Sequence, residues 1–382
     1  MRVFYWSPHI SEVATIYAVI NSAKSLNKYS KKFKPTILNV VGEWDQYSQE
    51  IEKEGINIIN LLPFSIYSKL PRYTFFKSRM SYVIIFLISL LPLYRILKKE
   101  KPEYMMCHLI SSLPLFLFNM FNFDTKLILR ISGLPKLNFI RKKYWQISEK
   151  NIYKIFCPTL YTRDKLSNDK IFSNKKLFFL PDPIVEIKKY LIKKKQSNYL
   201  HSKNEKLIIG IGRLTKQKNF TFLIKCFAAI KQEFRNENYK LIIIGEGEKR
   251  EELHELILKL NLNKHVRLVG YKKNVYEYLK FANCFILSSL WEDPGFVLIE
   301  SALSSTPIIS SDCTSGPIEL LRHLENGLLF KSNNIESFMK TFIKFREMDS
   351  DLLKNCLYNA KKLSKKYTIF SHHNYLSRLL NI

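Results

Sequence analysis

The sequence predicts an α/β protein built of two doubly wound domains in tandem that face each other across a cleft. Three observations carry this expectation. Short apolar runs alternate with stretches of helical periodicity along the whole chain, the pattern of parallel β-α-β units. The alternation pauses in a charged, weakly periodic stretch at residues 187–206 and then restarts. The length, 382 residues, exceeds one comfortable core and suits two.

In order along the chain, RVFYWS reads as a first strand and not as a signal peptide, and residues 11–26 have helical spacing. PTILNVV is a strand, and residues 43–54 are polar and helical. INIINL, YMMCHL, KLILRIS and YKIFCP are further strands, and LFFLPDPI closes the first half. KLIIGIGRL then runs from strand into loop, followed by a helix over residues 220–233. YKLIIIGEGE is strand and turn, residues 249–260 are helical, and HVRLVGY, NCFILSS and TPIISSD are strands. The last forty residues are helical. The expected domains are residues 1–182 and 183–366.

Composition narrows the partners. Lys and Arg total 61 against 33 Asp and Glu, a formal net charge of +28. Such an excess favours anionic partners: nucleic acid, an acidic lipid surface or a phosphorylated ligand. Of the basic residues 47 are Lys, and A/T-rich codon drift accounts for part of that bias. Drift alone does not explain why residues 69–176 hold 21 basic and 6 acidic residues. No nucleic-acid motif accompanies the charge. The six cysteines form no C-x-x-C pair and lie in apolar runs, so they read as buried thiols of a reducing compartment, not as a disulfide frame or zinc site. The most apolar run, Tyr82 to Tyr94, contains a proline and is shorter than the ~20 residues that span a bilayer. It reads as a buried helix or as one that dips into a membrane surface.

Ligands of open α/β sheets sit beyond the carboxyl ends of the strands, so chemistry is sought in the loops there. In IGIGRLTKQKNF, Gly210 and Gly212 end a strand, and Arg213 and Lys218 precede a helix. Glycines let a phosphate approach the backbone and the two cations hold it. In IIIGEGE, Gly245 and Gly247 flank Glu246, a tight turn or a place near a nucleotide base. WEDPGFVLIE then sets Glu292 in a loop and Glu300 one turn inside a helix. Gly295 permits close approach at that helix start, where the amides of Phe296 and Val297 point at a bound group. Two carboxylates beside an anion-binding helix start describe a ligand with hydroxyls on both sides of phosphates, such as a sugar nucleotide.

These residues resemble the retaining glycosyltransferases of family 4, which have the GT-B fold of two Rossmann-like domains. The resemblance rests on an E-x7-E pattern from Glu292 to Glu300, on Gly212-Arg213-Leu214 with Lys218-Asn219, and on SDCTSGP with Glu319 followed by NGLLF. It is strongest over residues 206–330. It implies that Arg213 and Lys218 bind the donor diphosphate, Glu292 the donor sugar and Glu300 the ribose. It also implies that residues 367–382 form a helix crossing back onto the first, acceptor-side domain. The family's glycine pair after the first strand is missing from SPHISEV, and its histidine after the fifth strand is replaced in ILRISGLP. His108, and next to it His9, are the candidates left for the reacting side.

The resulting expectation is a cytoplasmic hexosyl- or aminohexosyltransferase on the inner face of the membrane. It would use a nucleoside-diphosphate sugar and a glycan or lipid-linked glycan acceptor, with an anionic membrane surface as partner. No metal, cofactor or nucleic acid is expected. The rival readings are a nucleotide-sugar epimerase or phosphorylase of the same architecture, and a non-catalytic subunit that binds a sugar nucleotide.

Overall fold

The computed structural model describes the chain except residues 12–13, 72–74, 136, 197–201, 203 and 381–382. The end of the SPHISEV loop and part of the expected linker at residues 187–206 therefore lie outside the described residues. In chain order the elements begin with β1 (Arg2–Trp6), α1 (Thr15–Tyr29), β2 (Lys34–Asn39), α2 (Ser48–Lys53) and β3 (Asn57–Asn60). α3 (Phe75–Glu100), β4 (Tyr104–Cys107), α4 (Ser112–Met120), β5 (Lys126–Arg130) and α5 (Phe139–Ser148) follow. Then come β6 (Ile152–Cys157), α6 (Leu160–Asn168), β7 (Leu177–Phe179) and α7 (Ile187–Lys195). The next run is β8 (Lys206–Ile211), α8 (Phe220–Glu233), β9 (Tyr239–Ile244), α9 (Arg250–Lys259), β10 (Val266–Leu268) and α10 (Tyr276–Leu279). β11 (Cys284–Leu287), α11 (Phe296–Ser304), β12 (Ile308–Ser311), α12 (Gly316–Leu320) and β13 (Leu328–Phe330) lead to α13 (Ile335–Arg346), α14 (Ser350–Ser364) and α15 (Ile369–Leu379).

The chain divides into two compact units, Met1–Ile184 with Ile369–Ile382, and Val185–Thr368. The first is built on a parallel sheet ordered β3-β2-β1-β4-β5-β6-β7. Strands covered on both faces read as continuous apolar runs, which is why YMMC and KLILR carry no polar alternation. One face packs α1, α2 and α15 through Val19, Ile20, Ile51 and Leu376 against Tyr5, Met106 and Ile128. The other packs α3 to α6 through Ile85, Leu93, Leu113, Trp145 and Leu166 against Phe4, Met105 and Leu129. Each fully buried aliphatic side chain contributes about 1.5–3 kcal/mol.

The second unit repeats the winding on a sheet ordered β10-β9-β8-β11-β12-β13. Its core joins Ile208, Leu241, Ile243 and Ile286 to Leu223 and Phe227 of α8 and to Phe338 and Phe342 of α13. In both units the winding reverses beside the first strand, between β1 and β4 and between β8 and β11. Those reversals open the crevices where ligands of such sheets bind. All six cysteines are buried and none forms a disulfide, as their apolar settings predict.

Candidate donor site

The loop after β8 is shaped by close backbone packing. Gly212 continues the ladder by donating its N–H to the Ile244 carbonyl at 3.0 Å. Gly245 has φ +146°, and a Cβ there would strike the Gly212 carbonyl. The same loop is tied to the loop after β11. Leu290 N–H donates to the Gln217 carbonyl at 2.9 Å, and Ser288 Oγ donates to the Lys218 carbonyl at 2.8 Å. Two segments some seventy residues apart thus form one floor at the crevice.

On that floor stands a hydrogen-bonded cluster. Lys218 Nζ donates to Glu292 Oε1 at 2.5 Å, and Ser289 Oγ donates to the same oxygen at 2.5 Å. Glu292 and Ser289 are buried, and Lys218 is nearly so. The Glu292 backbone is fixed as well: its N–H donates to the Thr314 carbonyl at 2.7 Å, and its carbonyl accepts from Ser315 N–H at 2.6 Å. Among the described residues Oε2 accepts no hydrogen bond, so it is the oxygen left for a ligand. Ser289 was not singled out by sequence; it is hidden in the apolar run CFILSS, which reads only as a strand end.

Gly295 caps α11 with φ +87°, a left-handed conformation that glycine adopts without strain. It turns the chain so that the half-buried Phe296 and Val297 begin the helix next to Glu292. A helix start offers free N–H groups and a positive dipole end to an anion. Glu300 is half-buried on the same helix. Burial pushes its carboxyl up to about 7, while Lys193 and Lys218 pull the other way. Lys193, on α7, was not legible among so many lysines. The Arg213 side chain is exposed and has no hydrogen-bond or ion-pair partner among the described residues. Glu246 lies exposed and pairs with Arg250 at 3.0 Å.

The structure therefore brings Gly212, Lys218, Gly245, Glu292, Gly295, Phe296, Val297 and Glu300 to one end of the second sheet, with Arg213 on the same loop as Lys218. Among the described residues no group of three or more His, Cys, Asp or Glu is disposed to hold a metal.

His108 and His9 belong to the first unit. His108 follows β4, and its N–H continues the ladder to the Trp6 carbonyl at 2.9 Å. The register Trp6–Cys107–Leu129 puts Ser7, His108 and Arg130 in the next row of three adjacent strands. Side chains in one row share a face. Each of these buried residues has a polar atom without a hydrogen-bond partner among the described residues: Ser7 Oγ, His108 Nε2 and Arg130 Nη1. The other guanidinium nitrogen, Nη2, is ion-paired to Asp182 at 2.5 Å. Burial, then Arg130, holds the His108 ring well below the usual histidine range, so it is neutral at pH 7. His9 is buried edge-on to Trp44, ring centroids 5.0 Å apart, with Nδ1 3.2 Å from the Ser7 carbonyl.

Residues 192–363 match the model of the family described as glycosyl transferases group 1. An uncharacterized glycosyltransferase of Methanocaldococcus jannaschii is 30% identical over 316 residues, covering 78% of this chain and 73% of that protein. The UDP-Gal:alpha-D-GlcNAc-diphosphoundecaprenol alpha-1,3-galactosyltransferase of Escherichia coli is 28% identical over 294 residues, covering 70% and 73%. The crystal structure of a glycosyltransferase from Rickettsia africae superposes with a TM-score of 0.77 at 16% identity, over 100% of this chain and 98% of that one. Two Rossmann-like units and this neighbour define the GT-B fold. The chain belongs to the group 1 glycosyl transferases. Membership favours transfer over the epimerase, phosphorylase and non-catalytic readings.

Proposed function

We propose that the chain is a retaining, metal-independent glycosyltransferase of family 4. It moves a hexose or aminohexose from a nucleoside-diphosphate sugar to a hydroxyl of a glycan, in surface polysaccharide, lipopolysaccharide or lipid-linked glycan synthesis. The observation that carries this reading is the Lys218–Ser289–Glu292 cluster beside the start of α11 at the winding reversal of the second sheet.

The residues divide the work as follows. Arg213 and Lys218 hold the diphosphate and stabilise the charge that develops on it as the glycosidic bond breaks. The N–H groups at Phe296 and Val297 add the positive end of α11. Glu292 accepts hydrogen bonds from donor-sugar hydroxyls through Oε2, with Oε1 locked by Lys218 and Ser289. Glu300 accepts from the ribose. Glycines 212, 245 and 295 allow the backbone to approach the ligand. The first unit is the acceptor-side domain, where the neutral His108 ring accepts a hydrogen bond from a hydroxyl at the reacting centre. A lipid-linked acceptor is supported by the Escherichia coli relative, whose name places its own acceptor on diphosphoundecaprenol. It implies a cytoplasmic enzyme, peripheral on the inner face of the membrane, with an anionic membrane surface as partner.

A screen of nucleotide sugars for thermal stabilisation identifies the donor. With that donor, proton NMR of the first product anomer is expected to show retention, and activity is expected to persist in excess chelator. Inversion rejects the retaining mechanism. Loss in chelator, restored by Mg²⁺ or Mn²⁺, rejects metal independence.

A further inference from the structure

α3 is long and apolar enough to cross a bilayer, yet one of its faces is already committed to the protein core. Ser81, Ile85, Ser89, Leu93 and Leu97 recur every four residues and are fully buried under the first sheet. The opposite face is a second stripe: Phe76, Met80, Val83, Leu87 and Leu91, spaced four, three, four and four. Phe76 is 80% exposed and Leu87 64%. Arg95 and Lys98 continue that stripe, and Lys77 and Arg79 flank its start, so cations stand at both ends of an uncharged span from Met80 to Tyr94.

The neighbouring helices widen the patch. α4 packs on α3 through Phe86–Phe116, and Phe121, just past its end, packs on Tyr94, ring centroids 5.6 and 4.8 Å apart. α5 joins α4 through the Tyr144 hydroxyl, which donates to the Ser112 carbonyl at 3.1 Å. α5 exposes Phe139 and Ile140, the latter 77%, beside Arg141, Lys142 and Lys143. Trp145, next to these cations, is buried and stacked on Phe172. Phe76 and Phe139 are the most exposed of the described aromatic rings on α3 and α5. Burial first, and then nearby Arg79, lowers the Arg141 pKa. Basic side chains clustered beside an apolar face attract an anionic leaflet.

We propose that this face, α3 with α5, is a monotopic seat on an anionic bilayer, with α3 lying in the membrane plane. This rests on the peripheral-membrane reading above and names the surface that carries it. A spanning α3 would pull Ile85, Leu93 and Leu97 out of the core. An in-plane α3 keeps them there and buries the outer stripe at the boundary between headgroups and acyl chains. The charge settles the partner: a bare apolar stripe would suit a second copy of the chain, but basic side chains at its ends and on α5 would face the same charges across such an interface.

The test uses the full chain and vesicles of phosphatidylcholine alone or mixed with phosphatidylglycerol. Mixed vesicles are expected to bind it and to release it at high salt. Val83→Asp with Leu87→Asp should weaken that binding at least about tenfold. Changing Arg141, Lys142 and Lys143 to Ser should weaken it by about a hundredfold, roughly fivefold for each cation. All these positions lie on the helix surface, so melting temperatures and nucleotide binding stay at the parent values. In Met80→Trp and Leu91→Trp, bromine-labelled acyl chains should quench both rings at one shallow depth. Unchanged vesicle binding in both sets of variants overturns the proposal. So does a depth difference near the ~16 Å that eleven residues of a spanning helix would give, or a dimer in sedimentation that the Asp variants abolish. Nucleotide binding is measured separately: its absence would reject the transferase reading while vesicle binding still decides this one.

Discussion

The two units wind alike and place polar side chains at the same topological point, but they treat them differently. In the second unit Lys218, Ser289 and Glu292 satisfy one another in a closed cluster. In the first, Ser7, His108 and Arg130 stand in one row, each with a buried polar atom that has no hydrogen-bond partner among the described residues. Hydrogen bonds made in advance fix a ligand group's geometry, at the cost of an ion pair that the ligand must share. Open valences leave a site whose geometry is completed by what binds. On the proposed function, a diphosphate donor suits the first arrangement and an acceptor hydroxyl suits the second.

The comparison can be broken most severely at Arg130. Arg130→Met leaves Asp182 buried without its partner and should cost about 3–5 kcal/mol of stability. Denaturant unfolding followed by probes in the first unit measures it. The same variant removes the positive charge beside His108, so the ring should titrate higher by NMR; an unmoved His108 titration would disprove the proximity on which the acceptor row depends.

A pH series sharpens the second unit. The Glu300 carboxyl is pushed up from 4.5 to about 7, chiefly by burial. Between those values the folded state holds a proton that the unfolded state has released, so this group makes stability fall as pH rises from about 4.5 to 7. Buried Glu43 acts in the same direction, since burial pushes it to about 7 as well. A ribose hydroxyl donates to the carboxylate form, so donor affinity is expected to run oppositely and weaken as pH falls through about 7. Glu300→Gln should flatten the affinity profile while leaving the Glu43 part of the stability profile in place.

The smallest effect is expected at Ser289. Ser289→Ala removes one of two hydrogen bonds to Glu292 Oε1 and should cost about 1 kcal/mol in transition-state stabilisation. It should appear in kcat more than in KM, because Glu292 would still bind a sugar hydroxyl but less rigidly. An equal loss in diphosphate affinity would instead place Ser289 at the phosphate.

How much of this was legible in sequence follows the same division. In the second unit the site lies in loops where glycines and charges interrupt apolar strands, so Gly212, Arg213, Lys218, Glu292, Gly295 and Glu300 stand out by local contrast. Ser289 and Lys193 have no such contrast; one ends an apolar run and the other is a lysine among lysines. In the first unit His108 was legible only as a histidine after a strand; its row with Ser7 and Arg130 was not, because the three meet only through strand register across more than a hundred residues. α3 shows a further limit. Where nearly every residue is apolar, periodicity cannot tell the covered face from the open one; the apolar run read between Tyr82 and Tyr94 proved to be the middle of a 26-residue helix with Pro92 inside it.

The loop cluster of the second unit is proposed to bind a nucleoside diphosphate through side chains. Calorimetric titration of UDP, GDP and ADP in excess chelator, into the parent chain, Arg213→Ala and Lys218→Ala, tests it most directly. At least one nucleotide should bind the parent, and each variant should lose about 1.5–3 kcal/mol of that affinity, the scale of a hydrogen bond to a charged group. Equal affinities in all three proteins, or binding to the parent only when Mg²⁺ is restored, would contradict it.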